Sequence, residues 1–413
     1  MRITFTALLT LLSGAPLFAQ LTLDNCQQKA QANYPAIKQY ELIAKSKDYN
    51  ISNANKAYLP QISINGIAGY IIQGLPTFPG AEASDKLQFI GIGQLNQTIW
   101  DGGATASQKQ IIRANASIDS AGNDVTLYAI RDRVNQLYFG ILLIDEQLRQ
   151  ISILKGNLQR NLDAAQLSLQ NGLAYQSDVD QVQVEIIKAE QKQTEYRSSR
   201  TAYLQMLSQM IGEPVNADAA LDKPVMGAPG AYDTIRRPEM HLFDYQRLLV
   251  DAQMKSVNVG YMPKFGLMGA GILIQPGTNF GAETINSLAI AGLSLSWNTA
   301  GLYRGGNSKQ LAKINLDKIN NQQETFLFNT RLQMTQAKNE MTKQQTLLQQ
   351  DDQIVALKES IRKSYELKYQ NAMASMNDLL TAESGESEAR STRALHEIQY
   401  LMSLYSLKTI SGN

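Results

Sequence analysis

The residue types that most often do chemistry are few in this chain and lie far apart. The two histidines, His241 and His396, have no cysteine or carboxylate cluster beside them at the spacing of metal ligands. The glycine pairs at 102–103 and 305–306 could suggest loops that bind phosphate. However, no P-loop, dinucleotide fingerprint or nucleophile elbow surrounds them. The sequence therefore predicts neither an enzyme nor a protein that holds a metal or a cofactor.

The first 19 residues are typical of an export signal, with Arg2, the apolar run Leu8–Leu12 and a cleavage point at Ala19. No other stretch approaches the roughly 18–20 apolar residues of a membrane-spanning helix. The net charge is +1 and there is no basic run, which argues against a nucleic-acid partner. The single cysteine, Cys26, does not follow a typical lipid-attachment site, so we expect it to be unmodified and structural.

Distant landmarks of the chain match each other at a constant offset. Pro35 falls on Pro238 and the glycine pair at 102–103 falls on the pair at 305–306, both at an offset of 203. Further on the offset becomes 200, and Asp178 meets Asp378. Such agreement indicates an internal duplication. The predicted domains are a first repeat at 20–212, a Pro/Ala/Gly-rich linker at 213–236 and a second repeat at 237–413.

Each repeat shows the same order of predicted elements: a helix, two strands and a long helical hairpin. The first helix is expected over about 24–56. Period-two alternation predicts the strands and helical periodicity predicts the hairpins. The predicted strands are about 61–72, 87–100, 264–274 and 287–298, and the long helices are about 104–170, 177–211, 307–370 and 376–410. Because glycine tolerates unusual φ, the strand-to-helix joints are predicted at Gly102, Gly103, Gly305 and Gly306.

A heptad pattern runs through the first hairpin and predicts coiled-coil packing between its helices. Its apolar positions are Ile144, Leu148, Ile151, Leu158, Leu162, Ala165, Leu169, Val179, Val182, Ile186, Ala189, Tyr196, Tyr203, Leu207 and Met210. At about 1.5 Å per residue, a continuous helix over 104–170 would be roughly 100 Å long. Such a rod is not expected in a compact enzyme.

The predicted strands are long enough to cross a bilayer, for which roughly 9–11 tilted residues suffice. An open four-stranded sheet is not viable in lipid, because its edges leave backbone groups unpaired. Either the strands form a soluble sheet, or several chains contribute four strands each. Two copies would give eight strands with a filled interior, and three would give twelve with an aqueous bore.

Several motifs resemble the TolC family of outer-membrane efflux proteins along essentially the whole mature chain. They are LTLDNCQQKAQANYPAI at 21–37, YLP before the first strand, the junctions IWDGG and LYRGG, the hairpin tip NGLAYQSDV at 171–179, and YLQMLSQMIGEPV at 203–215. The resemblance implies a homotrimer with a twelve-stranded β-barrel in the outer membrane of a Gram-negative bacterium. A twelve-helix α-barrel would continue it through the periplasm.

The same resemblance implies a function without catalysis. Members act as passive exit ducts of tripartite efflux or type I secretion systems. Their partners are a periplasmic adaptor and an inner-membrane pump. The resemblance names neither the cargo nor the pump.

The resemblance also implies a periplasmic mouth near the tips of the hairpins. Tyr369 and Asp378 match the family's constricting pattern. Ala374 stands where a clamping arginine is expected, and Thr381 stands where a second aspartate is expected. Asp178 is the counterpart of Asp378 in the first repeat. The alternative for both aspartates is a helix cap, since a carboxylate favours a helix N-terminus.

The hairpin tips are expected to make sharp turns and, by resemblance, to contact the adaptor. The predicted tip residues are Asn171, Gly172, Asn371 and Ala372, with positive φ at Gly172 and, in the second repeat, at Asn371. Trp100, Trp297, Tyr70 and Phe89 are candidates for an interfacial aromatic belt, with core packing as the alternative. The loops at 73–86 and 275–286 are expected to face outside the cell.

Two other classes of function compete with the exit duct. A soluble periplasmic coiled-coil adaptor or scaffold would not need lipid-facing alternation in its strands. A secreted enzyme on a helical scaffold would need catalytic residues that the sequence does not present. The alternation over 62–72 favours the duct.

Overall fold

A computed structural model describes residues 21–70, 87–226, 232–275 and 286–413. The described residues are mainly helical with a small sheet, which confirms the predicted class. The helices are α1 (Leu23–Asn33), α2 (Gln39–Asn55), α3 (Ala104–Tyr128), α4 (Ile130–Gln170), α5 (Gln176–Ile211), α6 (Glu239–Val259), α7 (Ala300–Gln370) and α8 (Met376–Ser411). The strands are β1 (Gln61–Tyr70), β2 (Leu87–Trp100), β3 (Lys264–Gln275) and β4 (Asn286–Ser296).

Some predictions fall on residues outside the described ranges. These are the export signal at 1–19 and the loop at 73–86. Most of the loop predicted at 275–286 also lies outside them, but its two end residues belong to β3 and β4. The strand ends at 71 and 72 likewise lie outside the described residues.

The prediction of one helix over 24–56 was wrong. α1 ends at Asn33, a short 3-10 helix spans Pro35–Lys38, and α2 then begins at Gln39. Proline disfavours a helical conformation in the residue before it. Tyr34 accordingly adopts an extended conformation, with φ −65° and ψ 133°.

The long helix predicted over 104–170 is divided into α3 and α4 by a break at Ala129. Ala129 keeps right-handed helical angles, with φ −62° and ψ −18°. The interruption is therefore confined to one residue. α4 alone is about 60 Å long at the usual rise per residue.

The four strands form one antiparallel sheet in the order β1-β2-β3-β4. β1 and β2 come from the first repeat, and β3 and β4 come from the second. The pairing of β2 with β3, from Phe89↔Gln275 to Trp100↔Phe265, joins the two repeats. A bulge between Thr98 and Trp100 shifts that register by one residue. Among the described strands, β1 and β4 each have a neighbour on one side only.

The chain divides into two compact units that do not coincide with the repeats. Unit 1 contains the described residues up to Ile37, Leu127–Arg236 and Thr330–Asn413. Unit 2 contains Lys38–Thr126 and Arg237–Asn329. Each unit takes part of both repeats, so duplication of the sequence did not produce two independent domains.

Unit 1 has a core in which helices of both repeats meet. Tyr138 and Phe139 of α4, Leu207 of α5 and Leu401 of α8 are fully buried. The Tyr138 hydroxyl lies 2.6 Å from the carbonyl oxygens of both Leu21 and Asp222. Part of the predicted linker is thus held against this core.

Among the described residues, none of the helices combines the length and the apolar character that crossing a membrane requires.

The structure corrects the predicted joint of the second repeat. Gly305 and Gly306 lie inside α7, which begins at Ala300. The role of Gly305 there is steric, since a Cβ at this position would lie 2.0 Å from the hydroxyl oxygen of Tyr261. A Cβ at Gly301 would lie 2.5 Å from the ring of the same tyrosine. The small residues let the Tyr261 ring lie directly against α7.

Alanine substitution of the two adjacent glycines should separate this steric role from helix propensity. Gly305→Ala should destabilise unit 2 by about 1–3 kcal/mol, because its methyl group overlaps the Tyr261 ring. Gly306→Ala meets no atom within 4 Å and should be neutral or stabilising. The gain expected from removing a helical glycine is about 0.5–1 kcal/mol. Denaturant unfolding of the purified variants would measure both, and equal effects would contradict this account.

Candidate functional site

The two hairpin tips in unit 1 have the same backbone hydrogen bonds. In the first, Gly172 N–H donates to Leu169 and Leu173 N–H donates to Ser168, at 3.0 and 2.8 Å. This is the Schellman pattern, in which the residue after the helix takes a left-handed conformation. Gly172 has the required φ of 70°. Gly172 therefore occupies the turn position that was predicted for it.

The second tip repeats the pattern with alanine in the glycine position. Ala372 and Met373 donate to Tyr369 and Lys368, at 3.0 and 2.7 Å. Ala372 has φ 56° and is the non-glycine residue with positive φ among those described. The prediction that Asn371 would take this conformation was wrong. Asn371 instead donates its side-chain amide to the Leu367 carbonyl at 2.7 Å, as Asn171 does to Leu167.

Below the tips, the ends of both hairpins converge on one apolar cluster. Leu162 and Ala165 of α4 and Val182 of α5 are buried there, as the heptad pattern predicted. Met376 and Leu379 of α8 are also buried in it, although sequence reasoning did not select them. This face of α8 could have been recognised from the helical spacing of its buried residues, which are Met376, Leu379, Leu380 and Glu383.

Tyr369 packs at the edge of this cluster, and the negative charge of Asp178 affects the pKa of its phenol. Partial burial raises the pKa of the Tyr369 phenol, and the nearby Asp178 carboxylate raises it further. The structure thus brings together two of the predicted mouth residues, one from each repeat. Asp178 also accepts a hydrogen bond from the Tyr175 backbone N–H at 3.0 Å, which caps α5.

Asp378 caps the first turn of α8 and remains exposed. Its carboxylate accepts from the Ser375 hydroxyl at 2.7 Å and from the Ser375 backbone N–H at 3.0 Å. These hydrogen bonds hold the pKa of Asp378 below its ordinary value. Thr381, also exposed, donates its hydroxyl to the Asn377 carbonyl at 2.7 Å. The capping alternative therefore describes both aspartates, while leaving the Asp378 charge available to solvent.

One charged network near the tips was missed by sequence reasoning. Arg362 of α7 donates to Glu386 of α8 at 2.6 Å, and Arg390 donates to the other oxygen of Glu386 at 2.8 Å. Glu383 is buried beside them, and its Oε2 has no hydrogen-bond partner. Burial raises the pKa of Glu383, while Asn161 and Arg362 act in the opposite direction. The network fixes α7 against α8.

In unit 2, Asp101 organises the joint between β2 and α3. Its buried carboxylate accepts from the Gly103 and Thr105 N–H groups at 2.9 and 2.6 Å, and from the Tyr58 hydroxyl at 2.9 Å. Burial raises the pKa of Asp101, but these hydrogen bonds lower it more, to about 2. Gly102 and Gly103 have φ of 69° and 91°. They lie at this joint, where they allow the strand to turn into the helix.

The second joint is built differently. Arg304 falls at the position that Asp101 holds in the first repeat, and it lies within α7. Tyr261, the counterpart of Tyr58, has a buried hydroxyl without a hydrogen-bond partner. The chain turns at residues 297–299, where Trp297 Nε1 donates to the Tyr261 carbonyl at 3.0 Å.

The candidate belt residues lie at the two ends of the sheet. Tyr70 and Phe89 lie at the end where β1 and β2 meet the 71–86 segment, and both are exposed. Trp100 packs on Phe265 at the opposite end, with ring centroids 5.6 Å apart. Trp297 follows β4 at that same end and is also exposed.

In the part of the chain that the structure describes, no three His, Cys, Asp or Glu side chains are grouped so that they could hold a metal ion. The Cys26 thiol is buried in α1, and burial raises its pKa to about 11.

The fold, a four-stranded antiparallel sheet and long helical hairpins that end in tight turns, is shared with solved structures of outer-membrane channels. The chain resembles the outer membrane protein VceC of Vibrio cholerae, with a TM-score of 0.65, 13% identity and coverage of 94% of this chain and 96% of that one. It resembles the MtrE outer membrane channel of Neisseria gonorrhoeae, with a TM-score of 0.63, 14% identity and coverage of 95% and 89%. It also resembles the CmeC outer membrane channel of Campylobacter jejuni, with a TM-score of 0.63, 13% identity and coverage of 96% and 86%.

Residues 27–213 match the family model described as outer membrane efflux protein. This match covers most of the first repeat, and it confirms the resemblance to the TolC family of outer-membrane efflux proteins that the motifs indicated. The second repeat shares the fold of these channels at low sequence identity. No curated protein sequence matches the chain.

Because Ala372 and Gly172 both have positive φ, exchanging alanine and glycine should have opposite effects at the two tips. Ala372→Gly should stabilise its turn by up to about 1 kcal/mol, because glycine adopts positive φ without the cost that a side chain imposes. Gly172→Ala should destabilise the matching turn by a similar amount. Amide hydrogen exchange at Met373 and Leu173 would report each tip separately. Loss of protection at Met373 in Ala372→Gly would contradict the proposed strain.

The Asp101 joint predicts a local dependence of stability on pH. Because folding lowers the pKa of Asp101 to about 2, the ionised carboxylate stabilises the joint at higher pH. This contribution should be complete above the ordinary carboxyl pKa of about 3.9 and should be lost as the pH falls towards about 2. The protection factors of the Gly103 and Thr105 amides should therefore decline over this range.

Asp101→Asn should lower these protection factors at neutral pH and remove most of their change below pH 4, because it cannot ionise. Asp48→Asn, at an exposed position of α2, is the matched control and should leave the profile unchanged. An Asp101→Asn profile identical to that of the unsubstituted protein would refute the role of the carboxylate.

Proposed function

We propose that this chain is a passive outer-membrane exit duct of a tripartite efflux system or a type I secretion system, assembled from three copies. The observation that supports it most directly is the chemistry of the two faces of the sheet. Alternate residues along each strand point to opposite faces, so the strand register assigns every residue to one of two sets. We call these sets the apolar face and the mixed face.

The apolar face carries large apolar or small side chains over almost its whole extent. Its large apolar members are Ile62, Ile64, Tyr70, Leu87, Phe89, Leu95, Phe265, Leu267, Leu273, Leu293 and Leu295. All of them are exposed in the single chain, Ile64 by 83% and Leu293 by 82%. Water would not tolerate so large a contiguous apolar surface, whereas lipid would.

The strand edges support the proposed number of copies. β1 and β4 present unpaired backbone groups that lipid cannot satisfy, so neighbouring copies would have to pair β4 with β1 until the sheet closes. Two copies would close a barrel of about eight strands, whose interior is filled by side chains. Three copies would close a twelve-stranded barrel with an open bore, which a duct needs. The aromatic rings at both ends of the sheet fit the two interfaces of a membrane.

The helical hairpins would form the periplasmic tunnel, a twelve-helix α-barrel in the trimer. The tips at Asn171, Gly172, Asn371 and Ala372 would then meet a periplasmic adaptor, and an inner-membrane pump would supply the energy. Tyr369, Asp178 and Asp378 would line the mouth beside Thr381. Three copies of the exposed Asp378 carboxylate would favour cations there. The duct itself would carry out no catalysis and use no cofactor.

A soluble periplasmic scaffold is the alternative, and the apolar face argues against it. A scaffold would have to cover eleven large exposed side chains by some partner in water. The match of residues 27–213 to the family model described as outer membrane efflux protein also favours the duct.

The duct is tested by expressing the full chain in a Gram-negative host, fractionating the membranes and reconstituting the purified protein in planar bilayers. We expect an outer-membrane trimer that conducts ions in discrete steps. Asp378→Asn should reduce cation selectivity while leaving assembly intact, because asparagine can still cap α8. The control is Asp180→Asn on an exposed turn of α5. A chain found wholly in the soluble periplasm, or one that forms no pore, would reject the proposal.

A further inference from the structure

The mixed face of the sheet is divided into a polar half and an aliphatic half. Towards the end where the helices begin, the register places polar residues on this face, among them Gln61, Ser63, Gln94 and Asn96. Towards the opposite end the same face becomes aliphatic. This change of character is confined to the mixed face, since the apolar face shows no comparable division.

Two cross-strand rows make up the aliphatic half. Ile67 pairs with Ile90, which pairs with Ile274. Asn286 of β4 completes this row beside Ile274. In the next row Asn65 pairs with Ile92, which pairs with Ile272, which pairs with Leu288. The six aliphatic members of the two rows are Ile67, Ile90, Ile92, Ile272, Ile274 and Leu288. We call these six residues the aliphatic band. Four of them lie on the central strands β2 and β3, and Ile67 and Leu288 lie on the edge strands β1 and β4. Pairing of copies edge to edge would leave this face of the sheet uncovered.

Exposure indicates which face of the sheet is concave. On the central strand β3, Ile272 and Ile274 of the mixed face are half-buried, whereas Leu273 of the apolar face, which lies between them in sequence, is 53% exposed. On β2, Ile90 and Ile92 are half-buried, whereas Phe89 is 49% exposed. Side chains crowd together on a concave face. The mixed face would therefore line the bore in the proposed trimer.

We infer that the aliphatic band is a contact surface for amphipathic organic cargo within the duct. This inference rests on the proposed function and adds a class of cargo to it. The band lies on the water-facing side of the sheet, where membrane lipid does not reach and copies do not pair. The apolar part of a passing molecule can therefore cover it. Cargo in a duct must bind well enough to enter and weakly enough to leave, and a small aliphatic surface meets both conditions.

The charge of the strands agrees with this class of cargo. Among the described strand residues Lys264 is the charged one, and it lies on the mixed face at the helix end. These strands carry no carboxylate that would attract metal cations. A molecule with an apolar body and a neutral or anionic head would meet lysine and polar side chains first and the aliphatic band afterwards.

The test compares two anions of equal charge in single-channel recordings of the reconstituted full-length protein. The amphipathic probe is 1-anilinonaphthalene-8-sulfonate, and the hydrophilic probe is gluconate. The double variant Ile92→Asn, Ile272→Asn changes two cross-strand neighbours of the band. It should shorten the blocking events of the amphipathic probe by about tenfold, through loss of apolar contact. Events of the hydrophilic probe should not change.

The double variant Ile92→Val, Ile272→Val is the matched control, since it keeps the surface aliphatic, and its events should stay within about twofold of the unsubstituted protein. Equal event lengths in the asparagine and unsubstituted channels would overturn the inference while leaving the proposed duct intact. Absence of any pore in the unsubstituted protein would instead overturn the duct itself.

If the asparagine variant does not assemble, a second variant that enlarges the aliphatic band tests the inference instead. Ser63 and Gln94 are cross-strand neighbours in the next row, and Ser63→Ile with Gln94→Ile should lengthen the amphipathic events. Unchanged events in that variant would overturn the inference.

Discussion

The unpaired strand edges of the sheet constrain everything else in this protein. Four antiparallel strands expose one row of backbone groups on β1 and another on β4. A backbone N–H or C=O without a partner costs several kcal/mol in lipid, in the general range of about 2–7. Strands with a continuous apolar face need lipid or a partner, and lipid in turn requires closed edges. In the proposed trimer, pairing of β4 with the β1 strand of the next copy would close these edges and complete the sheet.

The duplication supplies two of each element, but the structure does not use them as two domains. The contact between β2 and β3 merges the strand pairs of both repeats into one sheet. The cluster below the tips likewise combines α4 and α5 of the first repeat with α8 of the second. A strand pair or a helical hairpin alone cannot bury its apolar side, so each copy completes the other. This explains why the compact units cut across the boundary at 213–236.

Corresponding positions in the two repeats have acquired different roles. Gly102 and Gly103 give the chain positive φ at a joint, whereas Gly305 makes room for a tyrosine ring inside a helix. In the first repeat the Asp101 carboxylate accepts the hydrogen bonds that hold the joint. In the second repeat the indole of Trp297 donates a hydrogen bond at the turn. The backbone geometry at the tips is the same even where alanine replaces glycine, because the Schellman hydrogen bonds fix the turn. At the tips the backbone geometry is therefore the same although the residue differs, whereas at the joints the glycine pair is the same although its geometry differs.

Matching landmarks at a constant offset indicated the duplication, and sequence periodicity predicted the order of the elements, most strand bounds and the buried heptad positions Leu162 and Val182. Those features are local, since alternation and heptads record which side of each element is apolar. The break at Tyr34 was also readable from the following proline, although the helix was predicted to continue. Tertiary structure decided the rest: which glycine pair forms a joint, which residue takes positive φ at the second tip, and the pairing of Arg362 with Glu386. The role of Gly305 and the Arg362–Glu386 pair depend on neighbours distant in sequence, about which the repeat pattern carries no information. The conformation of Ala372 depends on backbone hydrogen bonds of the turn, which periodicity does not record.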